Sequence, residues 1–517
     1  MLYPLSHGCI AWVHHTIYSR DGNRYTTITL MRHPVPKEVM LVLTSLEEKG
    51  FQAYLVGGCT RDLLRETTPK DWDVTTNATP EKIQEIFPDS FYENDFGTVG
   101  VKTESEDPRL KVVEVTPYRV EAQYSNSRHP DEVTFSDSIE DDLKRRDFTM
   151  NAIAYSPSKD ELIDPYNGSE AIRLKRIVAV GTAEKRFGED ALRMMRAIRL
   201  SAELDFTIES ETASAIAEHA DLLQKVSRER VADELVRIIN SDTPMQALFV
   251  AQRLGLLQHI IPELEEGIGC DQNQAHSFDV FEHLMRSLQH AADKKYSFEV
   301  RLAALLHDIG KPKSRRKDEN TGEYTFYGHE VVGARMTKKI LNNLKFSKEI
   351  ARDVENLVRW HMFFSDPDQI TLSAVRRMIQ NVGEDHIDEL LELRTCDRIG
   401  TGRPKEQPFR FRKYKSMVDE ARRDPISVGM LKIDGRGVIE ILGDGPGPRV
   451  GWILHALLEE VLDDPTLNTE EYLKEKSTEF SKLPKNELQK LGEKGKDRRE
   501  EEDDKEIEAL RKKHHVN

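Results

Sequence analysis

Asp71-Trp72-Asp73 places two carboxylates two residues apart. On a strand, residues i and i+2 project from the same face, so the two acids converge. Carboxylates that close repel one another unless a cation lies between them. Oxygen-only ligands suit Mg²⁺, which commonly takes one or two carboxylates together with substrate phosphates. A solvated edge strand is the plainer alternative for an isolated Asp-x-Asp. Upstream, Gly57-Gly58 closes the apolar run Ala53-Tyr54-Leu55-Val56, and Arg61 follows one turn later. Backbone N–H groups at such a turn, joined by a guanidinium, make a phosphate cradle, although Gly-Gly after a strand is also an ordinary turn. Cradle and carboxylates together describe metal-assisted nucleotidyl transfer, with cations clamping the attacking and leaving oxygens.

The surrounding pattern supplies elements to hold these groups. Val39, Leu43 and Leu46 recur at helical spacing between Pro36 and Lys49, and Ala53–Val56 reads as a buried strand. Short strands are expected around Trp72–Thr75, Gly97–Lys102 and Lys111–Thr116, with a helix at Pro80–Ile86. Residues 36–175 thus read as a mixed α/β domain. Beyond Arg176 helical periodicity dominates, through Glu189–Leu204, Glu211–Leu223, Arg228–Ile239 and Met245–Leu257, then Val280–Ala292, Phe298–His307, Gly328–Leu344 and Lys348–Trp360. Arg398–Pro408 reads as a linker.

LVGGCTRDLL followed by KDWDVTTNATPE resembles the nucleotidyltransferase head of the class II tRNA nucleotidyltransferase and bacterial poly(A) polymerase family. The similarity continues through FGTVGV, VEVTPYR, RHPDEVTF, EDDLKRRDFTMNAIAY, DPYNG, FGEDALRMMRAIRLSAELDF and SRERVADELVRII, covering residues 36–262, with family-like features to about 464. The resemblance implies an α+β fold. A nucleotidyltransferase head, a mixed sheet with helices, precedes an all-α body that includes an HD domain. It implies Asp71 and Asp73 as catalytic metal ligands, Gly58, Arg61 and Arg146 as nucleotide contacts, and Glu114 as a candidate third acid. The expected activity is addition or repair of the 3′-terminal CCA of tRNA from CTP and ATP, with Mg²⁺ at the transferase site. Poly(A) addition, or addition of only CC or only the final A, is the rival within the family. The span Arg119–Asp142 looks full-length, which favours the final A.

Asp190, Arg193, Arg196 and Arg199 step by three along one helical pattern. Each such step falls ~60° short of a full turn, so Asp190 and Arg193 are expected as neighbours while Arg199 drifts to the far side. An amphipathic helix explains the spacing by itself. The resemblance implies that Asp190 and Arg193 read the incoming base, with Arg196 and Arg199 also on the nucleotide-binding helix. An Asp accepts from an exocyclic amine and an Arg offers forked donors, which suits C and A.

His283, His307-Asp308, His329, His361 and Asp397 follow in the second half. Single histidines are usually structural, but His with carboxylate ligands suits transition metals. The ordered set resembles the HD phosphohydrolase superfamily in its two-metal form, implying Ni²⁺, Mn²⁺ or Co²⁺ and hydrolysis of phosphomonoesters or 2′,3′-cyclic phosphates. An HD fold that merely helps hold RNA is the alternative. A head reduced to an RNA-binding module beside an active hydrolase is a rival from another class, and intact Asp71 and Asp73 argue against it.

The expected units are an extension at 1–30, a head at 31–175, a helical neck at 176–270, an HD domain at 271–400, a helical tail domain at 401–480 and a charged tail at 481–517. Residues 1–30 show no clear period, and Met31 directly precedes the first patterned segment, so the upstream stretch reads as a disordered extension or a start site assigned too early. Arg403, Lys405, Arg410, Arg412, Lys413 and Lys415, interleaved with Phe409, Phe411 and Tyr414, read as an RNA-contact stretch or a solvated linker. Gly445–Gly451 opening a helix is an equal choice between a phosphate site around Arg449 and a plain junction. The chain of 517 residues has a net charge of −16, which naively argues against a nucleic-acid partner. No apolar run approaches the ~18 residues of a membrane helix, and the four dispersed cysteines suit a reducing cytoplasm. The resemblance implies tRNA, CTP and ATP as partners, with no membrane and no DNA expected.

Overall fold

The computed structural model describes residues 15–18, 24–27, 35–93, 97–122, 132–272, 277–318, 322–363, 370–443 and 445–493. The chain forms two compact units that divide between Val226 and Ser227, so the expected 176–270 neck is shared between them. The early segment without a visible period contains a two-stranded antiparallel ladder, β1 (His15–Tyr18) and β2 (Arg24–Thr27). The upstream stretch is therefore not uniformly without structure.

In the first unit α1 (Lys37–Glu48) leads to β3 (Ala53–Val56), α2 (Gly58–Leu64), β4 (Asp73–Thr76), α3 (Pro80–Ile86), β5 (Ser90–Tyr92), β6 (Val99–Lys102) and β7 (Val112–Pro117). A hairpin of β8 (Arg119–Ala122) and β9 (Glu132–Phe135) follows, then α4 (Ile139–Lys144), β10 (Ala154–Ser156) and β11 (Glu161–Ile163). Residues 123–131, inside the span read as full-length, lie outside the described residues. The seven-stranded sheet runs β11-β10-β3-β4-β7-β6-β5. Only β4 and β7 are parallel neighbours; the other pairs are antiparallel.

The continuous apolar run of β3 follows from burial on both faces. Ala53 and Leu55 enter a core with Val39, Leu43, Val74, Ile83 and Val115. Tyr54 and Val56 enter a second core with Tyr118, Leu143 and Ala154. The antiparallel register Leu55↔Val74 brings the start of β4 beside the end of β3, where Gly57 turns the chain. That topology, rather than sequence proximity, places Asp73 against the glycine turn. The unit closes with α5 (Gly168–Arg173), β12 (Arg176–Ile177), α6 (Ala183–Glu189) and α7 (Leu192–Leu204), then a helix Ser210–His219.

The second unit is helical, apart from a two-residue ladder pairing Arg316–Lys317 with Tyr324–Thr325. Side-chain caps fix several starts: Asp279 accepts from the Glu282 N–H, Ser297 from Val300, Ser347 from Ile350 and Thr371 from Ala374. The helix Ile387–Gly400 continues through the start of the expected linker. Phe409–Ala421 is a helix whose Phe411 and Tyr414 are buried, Tyr414 stacking on Phe363 at 5.1 Å. These two rings therefore serve the core rather than RNA bases, while Phe409 is exposed. Among the described residues no helix is long and apolar enough to cross a membrane.

Candidate active sites

Gly57 has φ +77°, a left-handed conformation that L side chains rarely adopt, and a Cβ there would lie 3.1 Å from Asp73 Oδ2 and 3.2 Å from Arg146 Nη1. A Cβ on Gly58 would sit 3.8 Å from Asp71 Oδ1 and 3.6 Å from Arg61 Nη2. The turn is thus flanked by both aspartates and both arginines. Asp73 opens β4, whereas Asp71 lies on the bend before it; the two converge through that bend and not through strand alternation. In the parallel register Asp73 faces Glu114 of β7. Burial, then the negative charges of Asp71 and Glu114, push the Asp73 carboxyl up to about 7, against the opposing pull of Arg146 and Arg61. Burial, Glu93 and Asp71 raise Glu114 as well. Acids crowded until one resists ionising form a donor set that a cation relieves.

The arginines are held by anchors that the sequence reading did not assign. Arg61 donates to Asp62 at 2.9 Å and to Asn151 Oδ1 at 3.1 Å. Arg146 donates to the buried Asp142 at 3.0 Å, which also receives Arg145 at 2.6 Å. Asn151 Nδ2 donates to Asp147 Oδ1 at 3.2 Å, and Arg196 Nε donates to Asp147 Oδ2 at 2.8 Å. A continuous relay of Arg61, Asn151, Asp147 and Arg196 therefore joins the glycine turn to α7. Asp147 and Asn151 stood in the RRDFTMN motif, whose order was visible while its pairing was not.

Asp190 is not on the helix. Its backbone is extended (φ −142°, ψ 105°), between the end of α6 at Glu189 and the start of α7, and its Oδ1 accepts from the Leu192 N–H at 3.0 Å. Arg193 is buried and donates to Glu189 at 2.8 Å, to Arg186 O at 3.1 Å and to Arg145 O at 3.0 Å. Arg199 is also buried, 3.9 Å from Glu203. Arg196, six residues after Asp190, is the one joined to the turn's relay.

In the second unit the six HD residues come together. His283 lies in the helix Val280–Asp293 and Asp397 in Ile387–Gly400, while His307, His329 and His361 stand at helix ends. Two donor sets form with Asp308 in both: His283, His307, Asp308 and Asp397, and Asp308, His329 and His361, each set having its ligand atoms within 4.8 Å of one another. Asp308 Oδ2 is 3.1 Å from His283 Nε2, and Oδ1 is 3.1 Å from His329 Nε2 and 3.4 Å from His361 Nε2. The Nδ1 atoms of His307, His329 and His361 lie 3.0, 2.7 and 2.7 Å from the carbonyls of Ala304, Phe326 and Val358. A carbonyl only accepts, so Nδ1 carries a proton and Nε2 of each ring is left turned toward the carboxylates. Imidazole nitrogens and carboxylate oxygens converging in a buried pocket suit divalent cations.

Burial opposes charge on Asp308, but Lys311, at 2.6 Å, and His307 hold it well below the usual carboxylate range. Burial likewise opposes charge on Asp397, which Arg394, donating at 2.5 Å, holds low. A Cβ on Gly310 would lie 2.2 Å from His329 O, so glycine lets the HD loop close on the next ligand helix. Arg449 is engaged by Ser481 O at 2.9 Å, which supports the plain-junction reading of that segment.

The comparisons with known proteins follow this division. Residues 53–178 match the poly A polymerase head domain, 205–268 the probable RNA and SrmB-binding site of polymerase A, and 276–399 the HD domain. A CCA-adding enzyme from Geobacillus stearothermophilus is 42% identical over 446 residues, covering 85% of this chain and 95% of that protein. The chain belongs to the CCA-adding tRNA nucleotidyltransferase family. An A-adding tRNA nucleotidyltransferase from Deinococcus radiodurans is 35% identical over 339 residues, 64% of this chain and 76% of that protein. The solved Bacillus stearothermophilus CCA-adding enzyme in complex with CTP aligns over 86% of this chain and 96% of its own, with a TM-score of 0.63 and 28% identity. The stretch matching the head domain contains Asp71, Asp73 and Arg146, and the stretch matching the HD domain contains His283, His307, Asp308, His329, His361 and Asp397.

Proposed function

We propose that the protein builds or repairs the 3′-terminal CCA of tRNA from CTP and ATP. The observation that carries this reading is the convergence of Asp71, Asp73, Arg61 and Arg146 on the Gly57-Gly58 turn. The tRNA 3′-hydroxyl attacks the α-phosphorus; the new P–O bond forms as the α–β bridging bond breaks, and pyrophosphate leaves. Asp71 and Asp73 would hold Mg²⁺, which would supply Lewis-acid charge for the attacking hydroxyl and the departing pyrophosphate. Gly57 and Gly58 keep the wall thin enough for phosphates to approach, and Arg61 and Arg146 donate to them. Asp190, free of helical geometry, accepts from the exocyclic amine of C or A, and Arg193 contributes donors. Poly(A) addition, and addition of only CC or only the final A, are the competing outcomes, the A-only activity being the one named for the Deinococcus radiodurans relative. Offering tRNA without its CCA, with CTP and ATP separately and together, and sequencing the products decides among them: defined CCA ends support the reading, A-tails or a single A overturn it.

The second unit is proposed to hydrolyse phosphomonoesters or 2′,3′-cyclic phosphates. His283, His307, Asp308, His329, His361 and Asp397 would hold two transition-metal ions, Ni²⁺, Mn²⁺ or Co²⁺, whose Lewis acidity would serve to activate water and to offset phosphate charge. Water oxygen bonds to phosphorus as one ester oxygen leaves with a proton. The carboxylates of Asp308 and Asp397, already ionised in a dry pocket, keep that site ready for cations. A cytoplasmic location is also proposed, supported by Cys59, Cys270 and Cys396 being free thiols in the interior.

A further inference from the structure

Lys311, Lys313, Arg315, Arg316 and Lys317 follow Asp308 closely, with no acidic side chain between 309 and 317. Lys311 is committed to Asp308 and Gln272, and Lys313 makes a surface pair with Glu266 at 3.5 Å. Among the described residues Arg315 and Arg316 have no carboxylate partner. Arg315 lies over the Tyr324 ring with Cζ 3.6 Å from its centroid, and its Nε is buried without a hydrogen-bond partner. Arg316 finds only carbonyls, those of Lys313 at 3.4 Å and Arg315 at 2.7 Å. The neighbouring Ser314 is buried with its hydroxyl unpartnered.

This basic ladder is tied to the metal-ligand set at both ends. Its first strand begins eight residues after Asp308 and pairs Arg316 with Thr325. Its second leads into Phe326, whose carbonyl orients His329 and whose ring lies 5.7 Å from Lys311 Nζ. A guanidinium held flat by an aromatic ring, as Arg315 is, and beside a second one that meets only carbonyls, with no carboxylate on either, is preorganised for phosphate. We propose that Arg315 and Arg316, beside Tyr324, form a second phosphate-binding subsite of the hydrolytic centre. Its substrate is then a phosphoester carrying a further phosphate beside the scissile one, as in an oligonucleotide end or a nucleoside polyphosphate. The inference rests on the hydrolytic reading above.

The test uses the full-length protein with Mn²⁺ and three substrates: uridine 2′,3′-cyclic phosphate, a dinucleotide ending in a 2′,3′-cyclic phosphate, and a 2′,3′-cyclic nucleotide bearing a 5′-diphosphate. The wild type should prefer at least one of the two substrates that carry phosphate beyond the cyclic one, and which one identifies the source of the further phosphate. Arg315→Gln/Arg316→Gln should lower that preference, as a ratio of kcat/KM values, about tenfold. Arg315→Lys, which keeps the charge, should retain most of it. An unchanged ratio overturns the subsite. A second readout needs no turnover: in protein stripped with EDTA, phenylglyoxal labelling of Arg315 and Arg316, read by peptide mass spectrometry, should slow when a phosphorothioate dinucleotide is present. If the wild type hydrolyses none of the three substrates, the hydrolytic reading fails, and this protection decides the subsite alone, its absence overturning it.

Discussion

At the scale of single residues, the glycine pair separates two functions that its sequence merges. Gly57 carries the left-handed φ and the closest approach to Asp73 and Arg146, whereas a Cβ on Gly58 meets only ordinary contacts. Gly57→Ala should therefore cost about 1–2 kcal/mol of stability from the backbone alone and also displace the Asp73 carboxylate. Gly58→Ala should leave the melting temperature nearly unchanged and raise the nucleotide KM. Thermal unfolding and steady-state kinetics on both variants check the contrast; equal loss of stability would contradict it. Asp73→Asn should lower kcat by on the order of a hundredfold or more, a scale set by loss of transition-state charge stabilisation, while tRNA binding measured by filter retention persists. The aspartates and histidines were legible in the sequence because few other arrangements explain such residue types together. Glu114 and Asn151 were harder, since their parts depend on strand register and on a contact spanning 90 residues.

Among elements, boundaries and partners were the less legible feature. The periodicity of 189–204 marks a helix, but α6 runs to Glu189 and the chain breaks at Asp190, because Asp190 uses its side chain to satisfy the free N–H at the start of α7. The basic-aromatic stretch divides its residues between surface and core: the helix Phe409–Ala421 turns Phe411 and Tyr414 inward, which alternating composition alone does not reveal. The relay through Asp147 gives these elements a measurable coupling. Burial opposes charge on Asp147, but Arg196, Asn151 and the Phe148 N–H hold its carboxyl well below the usual range. A group depressed on folding stabilises above its unfolded pKa of ~3.9 and loses that contribution as pH falls through the folded value. The melting temperature of the wild type should thus drop on acidification below pH ~4 more steeply than that of Asp147→Asn, which should already be less stable at pH 7. Parallel acid limbs for the two proteins would remove Asp147 from this role.

For the molecule as a whole, each proposed residue set falls within one compact unit: the proposed transferase groups lie between Gly57 and Arg199 and the candidate metal ligands between His283 and Asp397. Asp308→Ala should abolish metal-dependent phosphodiesterase activity and leave CCA addition within about twofold, since its cations and ligands are confined to the second unit. Net charge has the opposite character, belonging to no single site. The terminal stretch 494–517 carries eight acidic and eight basic side chains, so the deficit of −16 lies in the rest of the chain. Charge summed over a protein governs solubility, whereas RNA affinity follows the cations that meet phosphates. Arg403, Lys405 and Arg412 are exposed around the start of the helix whose rings are buried. Replacing these three with Gln should weaken tRNA binding and reduce the slope of log K against log salt by about two to three, nearly one for each lost phosphate contact. The same substitutions should leave the melting temperature in place, because none of the three side chains enters the core. Tyr414→Ala should do the reverse, costing about 3–5 kcal/mol of stability with the salt slope unchanged. Binding isotherms from 50 to 200 mM salt together with thermal melts separate the two. A salt slope unmoved by the triple variant would show that tRNA is held by other cations, and that this helix serves the fold alone.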